Sequence, residues 1–224
     1  MQNYLHIMKI KIFCGGFDKN LTYLIWCESS HKAALVDAST EITEIIEYIE
    51  AKQLILEKIL ITHTHFDHIK YLDDIVYQHP QVQICGHKNP EEKIGENYRG
   101  LDHHEIISIG MEMITVLHTP GHYPDSVCYW NKKNDCLFTG DTMFVGRTGR
   151  TIGAKSNISH LYKSVYDEIL ILPQRTLIYS GHHYGYKKSI TLKENISLSS
   201  FFQCQSENEF IQVMNKYEKN RRIK

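Results

Sequence analysis

The chain has 224 residues, a formal net charge of −1 and a hydrophobic content of 42%. Because single α/β domains run to about 250 residues, we expect residues 1–224 to form one domain. The near-zero charge argues against a nucleic-acid partner, and a charged fraction of 23% is ordinary for a globular chain. No segment approaches the roughly 18 apolar residues of a membrane helix, and no secretory leader is evident, so we expect no membrane partner and a cytoplasmic location.

Apolar runs in the N-terminal half predict a β-meander followed by a helix. Strands are expected at residues 8–13, 21–27 and 33–36, with a turn at residues 15–18 between the first two. Thr40 is expected to cap a helix over residues 41–52, because isoleucines recur there at helical spacing. A buried strand is predicted at residues 58–61.

Helices and strands also mix in the rest of the chain. A helix is expected around residues 71–76, a short strand at 82–85, and a polar surface excursion over residues 88–104. Strands are predicted at residues 111–118, 127–130, 136–138 and 176–179, and helices at residues 161–172 and near the C-terminus, with His160 as a candidate cap. The economical arrangement is an α/β fold of the αββα type, in which two β-sheets are flanked by helices. The six scattered cysteines are expected to be buried, reduced thiols.

Side chains that bind metals follow several of the predicted strands. Loops at strand ends are where a rigid scaffold holds functional groups, and imidazole and carboxylate ligands suit zinc, iron or manganese. The candidate ligands are His63, His65, Asp67, His68, His122, Asp141 and His182. Four of them fall within six positions, which makes a chance cluster of surface histidines a poor explanation.

These ligands are sufficient for two ions. One ion could be held by His63, His65 and His122, and a second by Asp67, His68 and His182. Asp141 would then lie between two ions about 3.5–4 Å apart. Such ions lower the pKa of water to roughly 7, so the set indicates hydrolysis by metal-bound hydroxide, with Asp67 as the catalytic residue that orients the nucleophile.

Four motifs in this order resemble the metallo-β-lactamase-fold superfamily: THTHFDH at residues 62–68, TPGH at 119–122, FTGD at 138–141 and SGHHYG at 180–185. The resemblance covers nearly the whole chain and implies the αββα sandwich and the ligand assignments above. GDTMFVGRTGRT at residues 140–151 and GHHYG at 181–185 are similar to the branch that contains hydroxyacylglutathione hydrolases (glyoxalase II) and persulfide dioxygenases. Both activities of that branch use glutathione derivatives.

The two activities predict different chemistry. Glyoxalase II enzymes carry a longer C-terminal helical domain, which we expect to be absent because only a short stretch follows His182. The segments LYKSVYDEILILP and ENEFIQVMN are more similar to persulfide dioxygenases, which use a single iron held by residues matching His63, His122 and Asp141. Those enzymes usually show Gly-Arg-Thr-Asp-Phe, whereas this chain has Gly-Arg-Thr-Ile-Gly at residues 149–153.

The leading hypothesis is a hydrolase of a small thioester-like molecule, such as a glutathione derivative, that uses two zinc ions or a mixture of zinc, iron and manganese. The alternative is a dioxygenase with a single iron that acts on glutathione persulfide, and a non-catalytic metal-binding module is third.

Arg147 and Arg150 are candidates to clamp a substrate carboxylate, although loop-stabilising roles are equally expected. Tyr184 is a candidate pocket residue with packing as the competing role, and the oligomeric state is open.

Overall fold

The structure is a computed structural model that describes residues 8–221 of the chain. Its first sheet has six strands in chain order, of which the first three are antiparallel and the later neighbours are parallel. They are β1 (Met8–Gly15), β2 (Asn20–Cys27), β3 (Lys32–Val36), β4 (Ile55–Leu60), β5 (Gln83–His87) and β6 (Tyr98–Leu101). The predicted N-terminal meander and its turn are confirmed.

The remaining strands are β7 (Ile106–Ile109), β8 (Glu112–His118), β9 (Val127–Asn131), β10 (Cys136–Gly140), β11 (Met143–Phe144), β12 (Arg147–Thr148), β13 (Leu177–Ser180) and β14 (Ser189–Thr191). Six of them form the second sheet, in the order β14-β13-β10-β9-β8-β7, in which only the β10–β13 pair is parallel. A hairpin of β11 and β12 stands apart from this sheet.

Helices cover the outer faces of both sheets. They are α1 (Thr43–Ala51), α2 (Phe66–Ile69), α3 (Leu72–Gln78), α4 (Ile158–Lys163), α5 (Leu192–Leu198) and α6 (Glu207–Arg221). A π-helical segment, Ser164–Ile169, continues α4, and a short 3₁₀ turn, Ser200–Phe202, precedes α6. Within residues 8–221, no helix is long and apolar enough to cross a membrane.

Three apolar clusters correspond to the layers of an αββα sandwich. The central cluster lies between the sheets and contains Tyr23, Tyr129 and Phe138. One outer cluster packs α1 and α3 on the first sheet, and the other packs α4, α5 and α6 on the second. Tyr23 donates a hydrogen bond of 2.5 Å to the Ser180 carbonyl, and Tyr129 one of 2.8 Å to the Ile61 carbonyl. These two bonds join the sheets beside the loops that follow β4 and β13, which fixes the relative position of those loops.

Several local predictions were wrong. Residues 88–104 include the edge strand β6, and β7, β14 and α5 were not predicted. Thr40 does not cap α1, because the helix starts at Thr43 and the buried Thr40 hydroxyl has no hydrogen-bond partner. The cap of α4 is Asn157, whose side chain accepts from the His160 backbone N–H. All six cysteines are free, but Cys14 is exposed on β1 rather than buried.

Candidate metal centre

The seven predicted ligands come together at one edge of the sandwich. His63 and His65 follow β4, and Asp67 and His68 lie on the short helix α2 that comes next. The other three follow the ends of β8, β10 and β13, in that order: His122, Asp141 and His182. Loops from both sheets therefore supply the site, as predicted from the strand-end positions.

The side chains form two groups of donor atoms. In the first, His65 Nδ1 lies 2.9 Å from His63 Nε2 and 3.1 Å from His122 Nε2. In the second, His182 Nε2 lies 3.3 Å from both His68 Nε2 and Asp67 Oδ2. Each group has ligand atoms within 4.8 Å of one another, and so has the set of His63, His68 and Asp141. Clusters of this composition are suited to binding metal ions.

Asp141 lies between the two groups. Its Oδ2 is 3.4 Å from His122 Nε2 in the first group and 3.4 Å from His182 Nε2 in the second. Its Oδ1 is buried and has no aligned hydrogen bond, although it faces His68 Nε2 at 3.3 Å. A carboxylate in this position can serve both groups at once.

The outer ring nitrogens orient three of the histidines. His122 Nδ1 donates to the Arg150 carbonyl over 2.9 Å, and His182 Nδ1 donates to the Asp18 carbonyl over 2.8 Å. His68 Nδ1 lies 2.8 Å from Asp37 Oδ2. Because a carbonyl or carboxylate oxygen can only accept here, the hydrogen of each neutral ring is on Nδ1 and the Nε2 lone pair points inward.

The first group fits a cation on chemical grounds. The Thr62 hydroxyl donates to Asp37, so its oxygen accepts from His63 Nδ1 and leaves the His63 Nε2 lone pair facing inward. His122 Nε2 also presents a lone pair, because the hydrogen of that ring is on Nδ1. Of the three nitrogens that face inward, only His65 Nδ1 can therefore carry a hydrogen. Electron pairs this close repel unless a positive ion lies among them, and the residues present therefore fit a metal.

A fourth cluster on the surface does not fit in this way. His103, His104 and Glu168 also have ligand atoms within 4.8 Å of one another. However, the His118 backbone N–H donates to His103 Nδ1, so the hydrogen of the neutral His103 ring is on Nε2, which faces Glu168 at 3.6 Å. Neither nitrogen of the neutral His103 ring therefore offers a free lone pair to an ion.

Burial lowers the pKa values of the histidines in the first group, whereas nearby carboxylates raise the pKa of His182 in the second. Burial lowers the pKa of His63 and His122, and it lowers the pKa of His65 to about 4. Burial also opposes a charge on His182, but the Asp141 carboxylate outweighs it and raises the pKa of His182 to about 9. Metal binding to the second group is therefore expected to release a proton that the metal-free protein holds.

Polar residues around the ligands were missed by sequence reasoning. Asp37 accepts from the backbone N–H of Thr62 at 2.7 Å and from its hydroxyl at 2.8 Å, in addition to its contact with His68. Asp125 accepts from the backbone N–H and the hydroxyl of Thr64, between His63 and His65. Asn20 donates to Asp67 Oδ2 over 2.9 Å. The signal that could have found Asp37 is its position directly after β3, where a buried strand ends in a carboxylate.

The three candidate substrate residues occupy different surroundings. The Arg147 guanidinium lies 4.3 Å from the Tyr184 ring centroid, 4.9 Å from that of Phe144 and 5.6 Å from that of Tyr217 on α6. Tyr184 stacks on His182 at 4.7 Å, and its hydroxyl donates to Asp18. Arg147 and Tyr184 therefore pack against each other next to His182 of the second group. Their role in substrate binding stays a prediction.

Arg150 instead lines a pocket of about 320 Å³ beside the first group. The pocket wall also contains His65, His122 and Tyr123, and one side of it is formed by residues 152–156. Tyr123 was not singled out from the sequence, although it directly follows His122. Among the three candidates, Arg150 is the one whose surroundings are open to a ligand.

Comparison with known proteins agrees with this geometry. The family model described as Metallo-beta-lactamase superfamily matches residues 15–182. A "Probable hydroxyacylglutathione hydrolase glo2" of Schizosaccharomyces pombe is 32% identical in an alignment 174 residues long that covers 75% of this chain and 66% of that protein. The "Probable metallo-hydrolase YqgX" of Bacillus subtilis is 33% identical over 186 residues, covering 75% of this chain and 86% of that protein. The chain thus spans slightly less than two thirds of the first relative.

Among solved structures, ETHE1 from Myxococcus xanthus is similar with a TM-score of 0.83 and 28% sequence identity. The similarity covers 92% of this chain and 90% of that chain. Together with the two helix-covered sheets of this chain, this likeness confirms the αββα prediction.

Proposed function

Since the chain belongs to the metallo-β-lactamase superfamily, we propose that it is a metal-dependent hydrolase of a small thioester-like substrate, similar in activity to hydroxyacylglutathione hydrolases. The observation that carries the proposal is the pair of donor groups joined by Asp141, whose Oδ2 lies 3.4 Å from an imidazole nitrogen of each. A pocket lined by two first-group histidines gives a substrate access to this centre.

In this proposal His63, His65 and His122 would hold one ion, Asp67, His68 and His182 would hold a second, and Asp141 could serve both groups. Zinc is the expected metal, or a mixture of zinc, iron and manganese. When bound, such ions make hydroxide available at neutral pH and polarise a substrate carbonyl.

Asp67 orients the attacking water. Its Oδ2 accepts from Asn20 and faces His182, which leaves Oδ1 as the oxygen that can accept a hydrogen from water. Burial favours the neutral acid, but the hydrogen bond to His182 outweighs it and keeps the pKa of Asp67 below its usual value. The group is therefore an ionised acceptor at neutral pH.

Arg150 binds the charged end of the substrate. A guanidinium presents several N–H donors in a planar fork that matches a carboxylate. Glutathione thioesters carry carboxylates at a distance from the reacting carbonyl, and relatives of this chain bear the name hydroxyacylglutathione hydrolase. A glutathione thioester is therefore the first substrate to test.

A second candidate function is oxidation of glutathione persulfide by a single iron held by His63, His122 and Asp141. The likeness to ETHE1 over most of both chains supports it, as does the C-terminal sequence resemblance. The two candidates differ at the second donor group, because a single iron would leave Asp67, His68 and His182 with the proton that the metal-free group holds. A non-catalytic metal-binding module is the weakest candidate, because the centre opens into a pocket.

The test compares zinc-loaded and iron-loaded protein in two assays. Thiol release from a 2-hydroxyacyl glutathione thioester measures hydrolysis, and oxygen uptake with glutathione persulfide measures dioxygenation. We expect thiol release without oxygen uptake, and a loss of about 10²-fold or more in Asp67→Asn. Asp73→Asn, on the exposed face of α3, is the matched control. Full zinc occupancy without any thiol release would overturn the proposal, and oxygen uptake would establish the second candidate.

A further inference from the structure

Tyr123 is a buried aromatic wall beside the first donor group. It directly follows His122 and is 8% exposed. Its ring centroid lies 4.0 Å from that of His65 and 6.2 Å from that of His63. Because it also lines the pocket of about 320 Å³, a group bound in this pocket beside His65 lies next to this ring.

The Tyr123 hydroxyl is held between two loops. Lys155 Nζ donates to it over 3.3 Å, and it donates to Glu92 Oε1 over 3.4 Å. Lys155 also lies 3.1 Å from Glu91 Oε2 and 3.8 Å from Glu92 Oε1. A cation, a phenol and two carboxylates therefore connect residues 152–156, which line the pocket, to the segment that carries Glu91 and Glu92.

The loop that carries the two carboxylates is fixed to the metal-binding segment. The Glu91 backbone N–H donates to Asp125 Oδ2 over 2.9 Å, and the Glu92 backbone N–H donates to the Thr64 hydroxyl over 3.2 Å. Thr64 and Asp125 are also the pair that bonds the His63–His65 segment to the loop after β8. Glu92 therefore holds the Tyr123 hydroxyl from a segment that is itself fixed, and Lys155 holds it from an exposed position.

We propose that Tyr123, held by Lys155 and Glu92, is a specificity-determining residue that limits the width of the substrate beside His65 and His122. The substrate class that follows is a compact thioester, narrow next to its reacting carbonyl and carrying an anionic end within reach of Arg150. A volume of about 320 Å³ lies at the lower end of ligand pockets, which suits such a molecule. This inference rests on the proposed function in taking this pocket as the substrate entry and a thioester as the substrate.

The test uses binding rather than turnover. Zinc-loaded protein is titrated calorimetrically with carboxylates of increasing width: acetate, butanoate, phenylacetate and 1-naphthylacetate. In Tyr123→Ala we expect the affinity for naphthylacetate relative to acetate to rise by about tenfold or more, since size discrimination by a pocket wall is of this order. In Lys155→Met the expected rise is about two- to threefold, because an exposed ion pair is weak.

Tyr123→Phe keeps the ring and removes the hydroxyl that contacts Lys155 and Glu92. It also provides a test if Tyr123→Ala fails to fold. We expect it to behave like Lys155→Met. Matched controls are Tyr77→Ala, which removes an exposed tyrosine, and Lys32→Met, which removes the ion pair with Glu57 far from the pocket. Neither control should change the ratio.

Three outcomes would overturn the inference: an affinity ratio within twofold of wild type in the Tyr123 and Lys155 variants, an equal change in both controls, or no binding of any carboxylate. None of them depends on hydrolysis. A wild type that binds the narrow acids selectively but cleaves no thioester would contradict the proposed function alone.

Discussion

Asp141 Oδ1 lies 3.3 Å from His68 Nε2, while the other oxygen of the same carboxylate faces His122 at 3.4 Å. One side chain therefore contacts both donor groups. This is possible because Gly140 adopts a φ of +47°, so the chain turns sharply at the end of β10, where an added Cβ would meet the Thr62 side chain at 2.4 Å. Backbone geometry at this glycine aims Asp141 at the space between the groups.

Gly181→Ala should disturb the centre through steric contact. A Cβ at this position would lie 2.5 Å from Asp141 Oδ1 and 2.6 Å from His68 Cε1. Because both neighbours are buried, we expect the free energy of unfolding to fall by about 1–3 kcal/mol and the metal content to fall as well. Thermal unfolding and metal analysis measure the two effects. Gly95→Ala, where a Cβ meets no atom within 4 Å, should change neither, and an unaltered Gly181→Ala protein would contradict the described packing.

Asp37→Asn should weaken metal binding although Asp37 is not one of the seven candidate ligands. The carboxylate contacts His68 Nδ1 at 2.8 Å and accepts both hydrogen bonds of Thr62. Loss of such a supporting carboxylate typically costs 10–100-fold in metal affinity. Competition with a chromophoric zinc chelator measures this loss, with exposed Asp74→Asn as control. Equal zinc affinities in the two variants would show that Asp37 does not orient His68.

Arg147 and Arg150 should respond differently to the same substitution. Arg147→Met removes a guanidinium from three aromatic rings, and we expect a loss of about 1 kcal/mol in stability with little change in KM. Arg150→Met removes a cation from the pocket wall, and we expect KM to rise with stability unchanged. Denaturant unfolding measures the stability of both variants, and steady-state kinetics measures their KM. The reverse pattern would assign the substrate clamp to Arg147.

The positions of most candidate ligands could be predicted because strand ends can be recognised locally. Apolar runs that stop at His63, Asp141 and His182 place these side chains at one edge once the fold is known. The two edge strands β6 and β14 were not predictable in this way, since they are short and their exposed faces carry polar residues. Thr40 shows the same limit, because its local capping preference predicts a helix from residue 41, whereas α1 begins at Thr43.

The supporting residues were harder to predict than the ligands. Asp37 and Asp125 act through contacts with Thr62 and Thr64, which are distant in the chain, and only the tertiary structure shows those contacts. Tyr123 was overlooked for the same reason, since its importance comes from Lys155 and Glu92 on separate loops. Arg147 and Arg150 are equivalent in sequence terms, and the structure distinguishes them by the rings around Arg147 and the pocket beside Arg150.

The number of metal ions per chain tests the central claim most directly. Protein purified without chelators and then dialysed against zinc should contain two ions per chain by mass spectrometry, because two donor groups share Asp141. Zinc-loaded protein of this kind should release thiol from a glutathione thioester. A single iron per chain that zinc neither displaces nor supplements would contradict the two-metal hydrolase proposed for this fold.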